Sequence, residues 1–155
     1  MKILVVCLGN ICRSPLAEGI LQNKLHRYNN KFKVDSAGMI SYHVGEPPDY
    51  RSIATAEKYH LDISGQRARK FHQNDFLNFD LILAMDSEVL SEILSYPDAK
   101  KHQNKIYLFL EYAGFPGKSN VPDPYYGTQD DFDRAYHLID EASELIAKKL
   151  TVNQS

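Results

Sequence analysis

Residues 7–14 read Cys-Leu-Gly-Asn-Ile-Cys-Arg-Ser and combine a nucleophile with the parts of an anion-binding loop. Gly9 and Asn10 are residue types that accept a left-handed backbone, which lets a short loop turn its N–H groups inward. Arg13 adds a planar guanidinium whose donors match the oxygens of a phosphate group. The spacing therefore predicts that Cys7 faces a bound oxyanion.

Two further features favour a reactive Cys7. A helix N-terminus and an adjacent cation both stabilise the thiolate, which is the form of cysteine that attacks electrophiles. Ser14 can donate a hydrogen bond to that thiolate. The loop has no Lys and no second Gly, so it does not match a nucleotide-binding Walker A loop. The alternative is that Cys7 is only a buried cysteine at the end of a strand.

The elements that must position this loop alternate between strand and helix. The apolar residues 2–6 predict a buried strand, and Ser14 as N-cap with Pro15 behind it predicts a helix after the loop. Strands are also predicted at 32–36, 79–85 and 105–110, helices at 50–60, 87–95 and 129–150, and loops at 39–49 and 112–128.

This alternation predicts the α/β class, as a small open and mainly four-stranded parallel sheet with helices on both faces. The phosphate-binding loop follows the first strand, and residues 1–155 form a single domain. Ligands of such sheets bind outside the carboxyl ends of the strands. The first loop and the loop at 112–128 are therefore the segments where a site is expected.

Composition limits the classes of partner. The chain has 155 residues, 18 Lys and Arg, 20 Asp and Glu, and a net charge of −2, which argues against nucleic-acid binding. No apolar run is long enough for membrane insertion. The two cysteines lie close together, so a secreted disulfide framework is not expected, and the cytoplasm is the predicted location. The six histidines are scattered, and we expect neither a metal site nor a cofactor.

Several segments resemble one known family. The run Val-Cys-Leu-Gly-Asn-Ile-Cys-Arg-Ser-Pro over residues 6–15 is similar to the signature of the low-molecular-weight protein tyrosine phosphatases. Asp-Pro-Tyr-Tyr-Gly over residues 123–127 resembles the acid loop of that family. Asp-Ser-Ala-Gly at 35–38 and Ala-Met-Asp at 84–86 fall where the family has similar segments. The resemblance covers nearly the whole chain in the right order.

The resemblance implies hydrolysis of phosphotyrosine in proteins, or of other aryl phosphates, through a cysteinyl-phosphate. Cys7 would attack phosphorus while Arg13 holds the oxygens, and Asp123 would protonate the departing phenolate and then activate water. From the sequence alone, Asp123-Pro124 is equally well explained as a turn. The loop that receives the phosphate, or inorganic phosphate in its place, is made by Leu8, Gly9, Asn10, Ile11, Cys12 and Ser14.

Aromatic residues are expected to line the substrate slot. Tyr125 and Tyr126 follow the acid, and Tyr42 is expected on the opposite wall, where many relatives carry Trp. A Tyr-rich surface with no such role is the alternative for Tyr42. Gln66 stands where some relatives have a His that supports Asn10, and its amide can still form hydrogen bonds.

Cys12 is the second thiol of the loop. The resemblance implies that it traps an oxidised Cys7 as a reversible disulfide, which makes the enzyme redox-sensitive. The alternative is a small packing residue at the base of the loop.

Three other functions compete with this interpretation. Arsenate reductases of the same fold pass oxidation along three cysteines, whereas this chain has two. A non-catalytic phosphotyrosine-binding module needs neither a nucleophile nor an acid. A phosphatase for small metabolites remains open, because the depth of the slot decides it. A monomer is the favoured oligomeric state.

Overall fold

A parallel sheet organises the molecule. The computed structural model describes residues 1–152, and its four strands pair in the order β2-β1-β3-β4, all parallel. The strands are β1 (Lys2–Cys7), β2 (Lys33–Gly38), β3 (Leu81–Ala84) and β4 (Ile106–Leu108). The helices are α1 (Arg13–His26), α2 (Tyr50–Lys58), α3 (Asp75–Asn78), α4 (Ser87–Leu94), α5 (Phe109–Ala113) and α6 (Gln129–Val152), with a 3-10 turn at Ala99–Lys105. The predicted α/β class is confirmed.

The central strand β1 is buried on both faces, as its apolar run predicts. Ile3 and Val5 point into a core shared with α1, α5 and α6. Leu4 and Val6 point into a second core with α3 and α4 on the opposite face. Because side chains alternate along a strand, one short apolar segment anchors both layers of helices. The end of β1 is thereby held firmly where the loop begins.

The prediction of a strand over 105–110 was partly wrong. Strand β4 ends at Leu108, and the remaining apolar residues begin the short helix α5, in which Phe109 and Leu110 are fully buried. Gly114 closes that helix with a φ of 72°, a left-handed conformation that glycine adopts without steric cost. Apolar runs of this length fit a buried strand and a buried helix equally well.

The carboxyl ends of three neighbouring strands meet at one edge of the sheet. β1 ends at Cys7, β2 at Gly38 and β3 at Ala84, and Cys7 pairs directly with Gly38 in the register. This is the edge where parallel sheets bind ligands. Within residues 1–152, no helix combines the length and apolarity needed to cross a membrane.

Candidate active site

The loop between β1 and α1 curls back over the sulfur of Cys7. Asn10 makes this possible with a φ of 58°, in the left-handed region that the sequence predicted for it. Its backbone N–H donates to Cys7 Sγ over 3.3 Å. Among residues 1–152, the backbone N–H groups of Gly9, Ile11 and Cys12 make no hydrogen bond. These groups are therefore available to an anion bound in front of the sulfur.

Cys7 is 2% exposed, and its sulfur has a hydroxyl partner. Ser14 Oγ lies 3.0 Å from Cys7 Sγ and accepts a hydrogen bond from Asn10 Nδ2 at 2.8 Å. The predicted N-cap role of Ser14 is wrong. Helix α1 begins at Arg13 with Cys12 as its N-cap, and no side chain caps it. The hydroxyl of Ser14 is engaged by Asn10 and Cys7 instead.

Arg13 is a buried cation fixed from one side. Its Nη1 donates to Asp86 Oδ2 at 2.6 Å and to the carbonyl of Val121 at 3.0 Å, while Nη2 lies 3.6 Å from Asp123 Oδ2. Burial lowers the pKa of the guanidinium, but the charges of Cys7, Asp86 and Asp123 outweigh burial and raise it. Arg13 therefore stays charged, and one side of its fork remains open to a ligand.

Asp86 lies in the segment 84–86 that resembles the family, but the sequence analysis assigned it no role in the site. It follows β3, the neighbour of β1, and its Oδ1 also caps α4 by accepting from the backbone N–H of Val89 at 2.8 Å. A carboxylate after the strand next to the catalytic loop was the available signal. Its spacing from Arg13 in the chain, however, gave no indication of an ion pair.

The side chain of Asn10 is held by groups from three segments. Its Nδ2 donates to Ser14 Oγ and, over 2.9 Å, to Ser36 Oγ on β2. Its Oδ1 accepts from the backbone N–H of Arg69 at 3.0 Å. Gln66, which was considered for this support, donates instead to the carbonyl of Pro15 at 3.1 Å. Ser36 on β2 thus supplies the hydrogen bond to Asn10 that was considered for Gln66.

The floor of the loop requires a glycine. A Cβ on Gly38 would lie 2.9 Å from the carbonyl oxygen of Leu8 and 3.0 Å from the backbone nitrogen of Asn10. The first contact is shorter than Cβ atoms make in proteins, and the second is tight enough that the backbone of the loop would have to move. Gly38 therefore lets β2 approach the loop closely enough for Ser36 to reach Asn10.

Asp123 reaches the same pocket from the loop 114–128. Its Oδ1 accepts from the backbone N–H of Tyr125 at 3.1 Å, and its side chain is 40% exposed. The backbone N–H of Val121 donates to the carbonyl of Met85 at 2.9 Å and so ties this loop to the end of β3. The carboxyl ends of β1 and β3 thereby position Cys7 and Asp123 around one pocket.

The pocket has about 100 Å³ of free space and a rim that is largely apolar and aromatic. Its lining consists of Cys7, Leu8, Gly9, Ile11, Cys12, Arg13, Ile40, His43, Asp123, Tyr125 and Tyr126. The predicted wall role of Tyr42 is corrected by the structure. Tyr42 is 82% exposed and lies outside the lining, with its ring packed edge-on against His43 at 4.8 Å. His43, one residue further along, forms the wall, because side chains in an irregular loop follow no fixed period.

Cys12 lies at the base of the loop, 4% exposed, in a small apolar cluster with Ile11, Ala68, Phe132 and Tyr125. Burial, followed by the charges of Asp49 and Cys7, raises the pKa of the Cys12 thiol far above its usual range. Both cysteines are free thiols. At neutral pH Cys12 is therefore protonated.

Comparison with known proteins agrees with this geometry. A family model described as low molecular weight phosphotyrosine protein phosphatase matches residues 2–155. A protein of that name from Schizosaccharomyces pombe is 38% identical over 154 residues, covering 97% of each chain. The crystal structure of YfkJ from Bacillus subtilis superposes with a TM-score of 0.92 and 32% identity, over 100% of this chain and 97% of that one.

A further solved structure holds a ligand. Wzb from Vibrio vulnificus, in complex with benzylphosphonate, is 34% identical with a TM-score of 0.84, over 96% of this chain and 97% of that one. With a cysteine, a buried arginine and a carboxylate around one pocket at the carboxyl edge of the sheet, this chain belongs to the low-molecular-weight phosphotyrosine protein phosphatase family.

Proposed function

We propose that this chain hydrolyses phosphotyrosine in proteins through a phosphocysteine on Cys7. One observation carries the proposal: Cys7, Arg13 and Asp123 line a single pocket, and Arg13 Nη2 lies 3.6 Å from the carboxylate of Asp123. A binding module would need the cation but neither the nucleophile nor the acid.

In the first step, Cys7 Sγ attacks phosphorus and the bond from phosphorus to the phenolic oxygen breaks. The proton of Asp123 passes to that oxygen, which leaves as neutral tyrosine. Arg13 and the unpaired N–H groups of Gly9, Ile11 and Cys12 stabilise the charge on the three remaining oxygens. The hydroxyl of Ser14 stabilises the sulfur both as the attacking and as the leaving group.

In the second step, water attacks phosphorus and the sulfur–phosphorus bond breaks. The carboxylate of Asp123 takes a proton from the water, so the acid of the first step becomes the base of the second. Inorganic phosphate leaves, and Cys7 returns as a thiolate. The two steps are balanced without a metal ion or a cofactor.

The shape of the pocket supports an aryl substrate. Tyr125 and His43 both line the pocket, with ring centroids 6.4 Å apart and ring planes tilted by 54°, and Tyr126 lies against Tyr125. A phenyl ring that enters beside these side chains gains aromatic contacts with them. The benzylphosphonate bound by Wzb of Vibrio vulnificus carries the same combination of ring and phosphorus.

The test is hydrolysis of p-nitrophenyl phosphate and of a phosphotyrosine peptide in EDTA, with wild type beside Cys7→Ser. We expect turnover by wild type only, while Cys7→Ser still binds phosphate in calorimetry because Arg13 and the loop remain. Phosphate binding by wild type without turnover would establish a binding module. Faster turnover of a sugar phosphate than of the peptide would assign the activity to small metabolites.

We also propose that the chain acts as a monomer in the cytoplasm. The mechanism requires Cys7 to be reduced, and a reducing compartment keeps it so. Gel filtration with light scattering tests the first part, and imaging of a tagged chain tests the second. A stable dimer, or export of the tagged chain, would contradict the respective part.

A further inference from the structure

A continuous chain of hydrogen bonds leads from the sulfur of Cys7 to the carboxylate of Glu18, one turn after Ser14 on α1. It runs from Cys7 Sγ to Ser14 Oγ (3.0 Å), to Asn10 Nδ2 (2.8 Å), to Ser36 Oγ (2.9 Å) and to Glu18 Oε1 (2.7 Å). The mechanism proposed above uses only the first members of this chain. Glu18 has no role in it.

Donor chemistry gives the chain a fixed direction. An ionised Glu18 only accepts, so Ser36 must donate to it and is left to accept from Asn10. Both hydrogens of the Asn10 amide are then committed to the two hydroxyls. Since Ser14 accepts one of them, its own hydrogen is free to point at Cys7 Sγ. The backbone N–H of Arg69 on Asn10 Oδ1 and the carboxylate of Glu18 together favour this orientation of the two hydroxyls.

Glu18 sits at the boundary between protein and solvent. It lines a surface depression of about 400 Å³ with His26 of the same helix and Asp62 of the following loop. Burial raises the pKa of Glu18 to about 7, the hydrogen bond from Ser36 acts in the opposite direction, Asp35 raises it and Arg69 lowers it. Within the described part of the chain, His26 and Asp62 are the titratable groups that share the depression with Glu18, and Asp35 and Arg69 are the charged groups that shift its pKa. Glu18 therefore changes its charge in the neutral range.

We propose that Glu18 is a positioning residue that, through Ser36 and Asn10, controls how strongly the hydroxyl of Ser14 is held on Cys7. This inference rests on the proposed function, since it concerns the same nucleophile. When Glu18 takes up a proton, it keeps a carbonyl oxygen but loses its charge, so the hydrogen bond from Ser36 weakens and the carboxyl group can also act as a donor. The amide of Asn10 is then less firmly oriented, and the hydrogen bond on the sulfur weakens.

The test follows the reactivity of Cys7 in the absence of substrate. Iodoacetamide is neutral, so the positive charge of the anion-binding loop does not attract it. Mass spectrometry assigns the modified cysteine. Between about pH 5.5 and 8.5, wild type should show a step in alkylation rate of about two- to fivefold centred near pH 7, the size of a partly lost hydrogen bond. Glu18→Gln, whose amide oxygen accepts at every pH, should show none.

Two variants separate the hydrogen-bond chain from a simple electric field. Ser36→Ala leaves Glu18 in place but interrupts the chain, and we expect it to lose the step. Asp62→Asn removes a charge from the same depression outside the chain, and we expect it to keep the step. A step that survives in Ser36→Ala, or that is absent from wild type, would overturn the proposal.

A second measurement covers the case in which a variant does not fold. Carbon-13 NMR of the Glu18 carboxyl in Cys7→Ser should give a pKa displaced from that of wild type, because coupling between two sites is reciprocal. Identical titrations in the two proteins would refute the coupling. Neither measurement depends on turnover, so loss of the proposed phosphatase activity and loss of this coupling are distinguishable results.

Discussion

The carboxylate of Asp86 has two partners, and two substitutions separate them. Oδ2 pairs with Arg13 Nη1 at 2.6 Å, and Oδ1 caps α4 at the N–H of Val89. Asp86→Asn keeps an oxygen for the cap but has no charge, and its NH2 group faces a cation that cannot accept a hydrogen bond. Asp86→Ala removes both interactions.

The expected sizes follow from these contacts. A hydrogen bond to a charged group contributes about 1.5–3 kcal/mol, and a helix N-cap contributes about 1 kcal/mol. We therefore expect Asp86→Asn to lower the free energy of unfolding by about 2 kcal/mol and Asp86→Ala by about 3 kcal/mol. Because the guanidinium of Arg13 is then less firmly placed, kcat/KM should fall by about 10- to 100-fold in both variants.

Urea unfolding at neutral pH and steady-state kinetics on an aryl phosphate measure the two effects. Glu88→Gln, an exposed carboxylate in the first turn of the same helix, is the matched control and should change little. Wild-type stability and kcat/KM in Asp86→Asn would refute the role assigned to the ion pair. Equal losses of stability in the Asn and Ala variants would refute the cap.

Three further outcomes are expected. Asp123→Ala should slow phenyl phosphate by about 10²–10⁴-fold but leave 2,4-dinitrophenyl phosphate nearly unchanged; an equal effect on both substrates would argue against a general acid. After peroxide, Cys7 sulfenic acid and the Cys12 thiol condense to a disulfide and water, so Cys12→Ala should regain less activity than wild type in dithiothreitol, and equal recovery would contradict the trap. Because folding raises the pKa of Glu18 from 4.5 to about 7, the native state binds more protons than the unfolded state in this range and loses stability as the pH rises through it. Urea titrations should therefore show Glu18→Gln becoming more stable relative to wild type from about pH 5 to 8, and a constant difference would refute the shift.

The sequence predicted the parts of the site that depend on residues close together in the chain. The apolar run before Cys7 predicted the buried strand β1, and the residue types at Gly9 and Asn10 predicted the sharp loop that follows. Each depends only on neighbours in the chain. The order of strands and helices then placed this loop at the ligand-binding edge without any knowledge of the packing.

Contacts between distant segments were not predictable in this way. Asp86 and Arg13 are 73 residues apart, and nothing in either local pattern indicates the pair. Tyr42 and His43 are adjacent aromatic residues in an irregular loop, where no period determines which side chain faces the pocket. Phe109 and Leu110 satisfied the pattern of a strand, but in the structure they begin the helix α5, which packs against α6.

The site is divided unequally along the chain. In the proposed mechanism, the groups that bind and attack the phosphorus lie in one short stretch ending at Ser14, whereas the proton donor Asp123 comes from a separate loop. Apart from Val121, whose carbonyl holds Arg13, the loop 114–128 can therefore change its composition during evolution without rebuilding the segment around Cys7. Loss of Asp123 from that loop would restrict turnover to substrates with good leaving groups, and a new loop sequence would select new leaving groups. New substrate preferences in proteins of this fold should therefore arise first from changes in the loop that carries the proton donor.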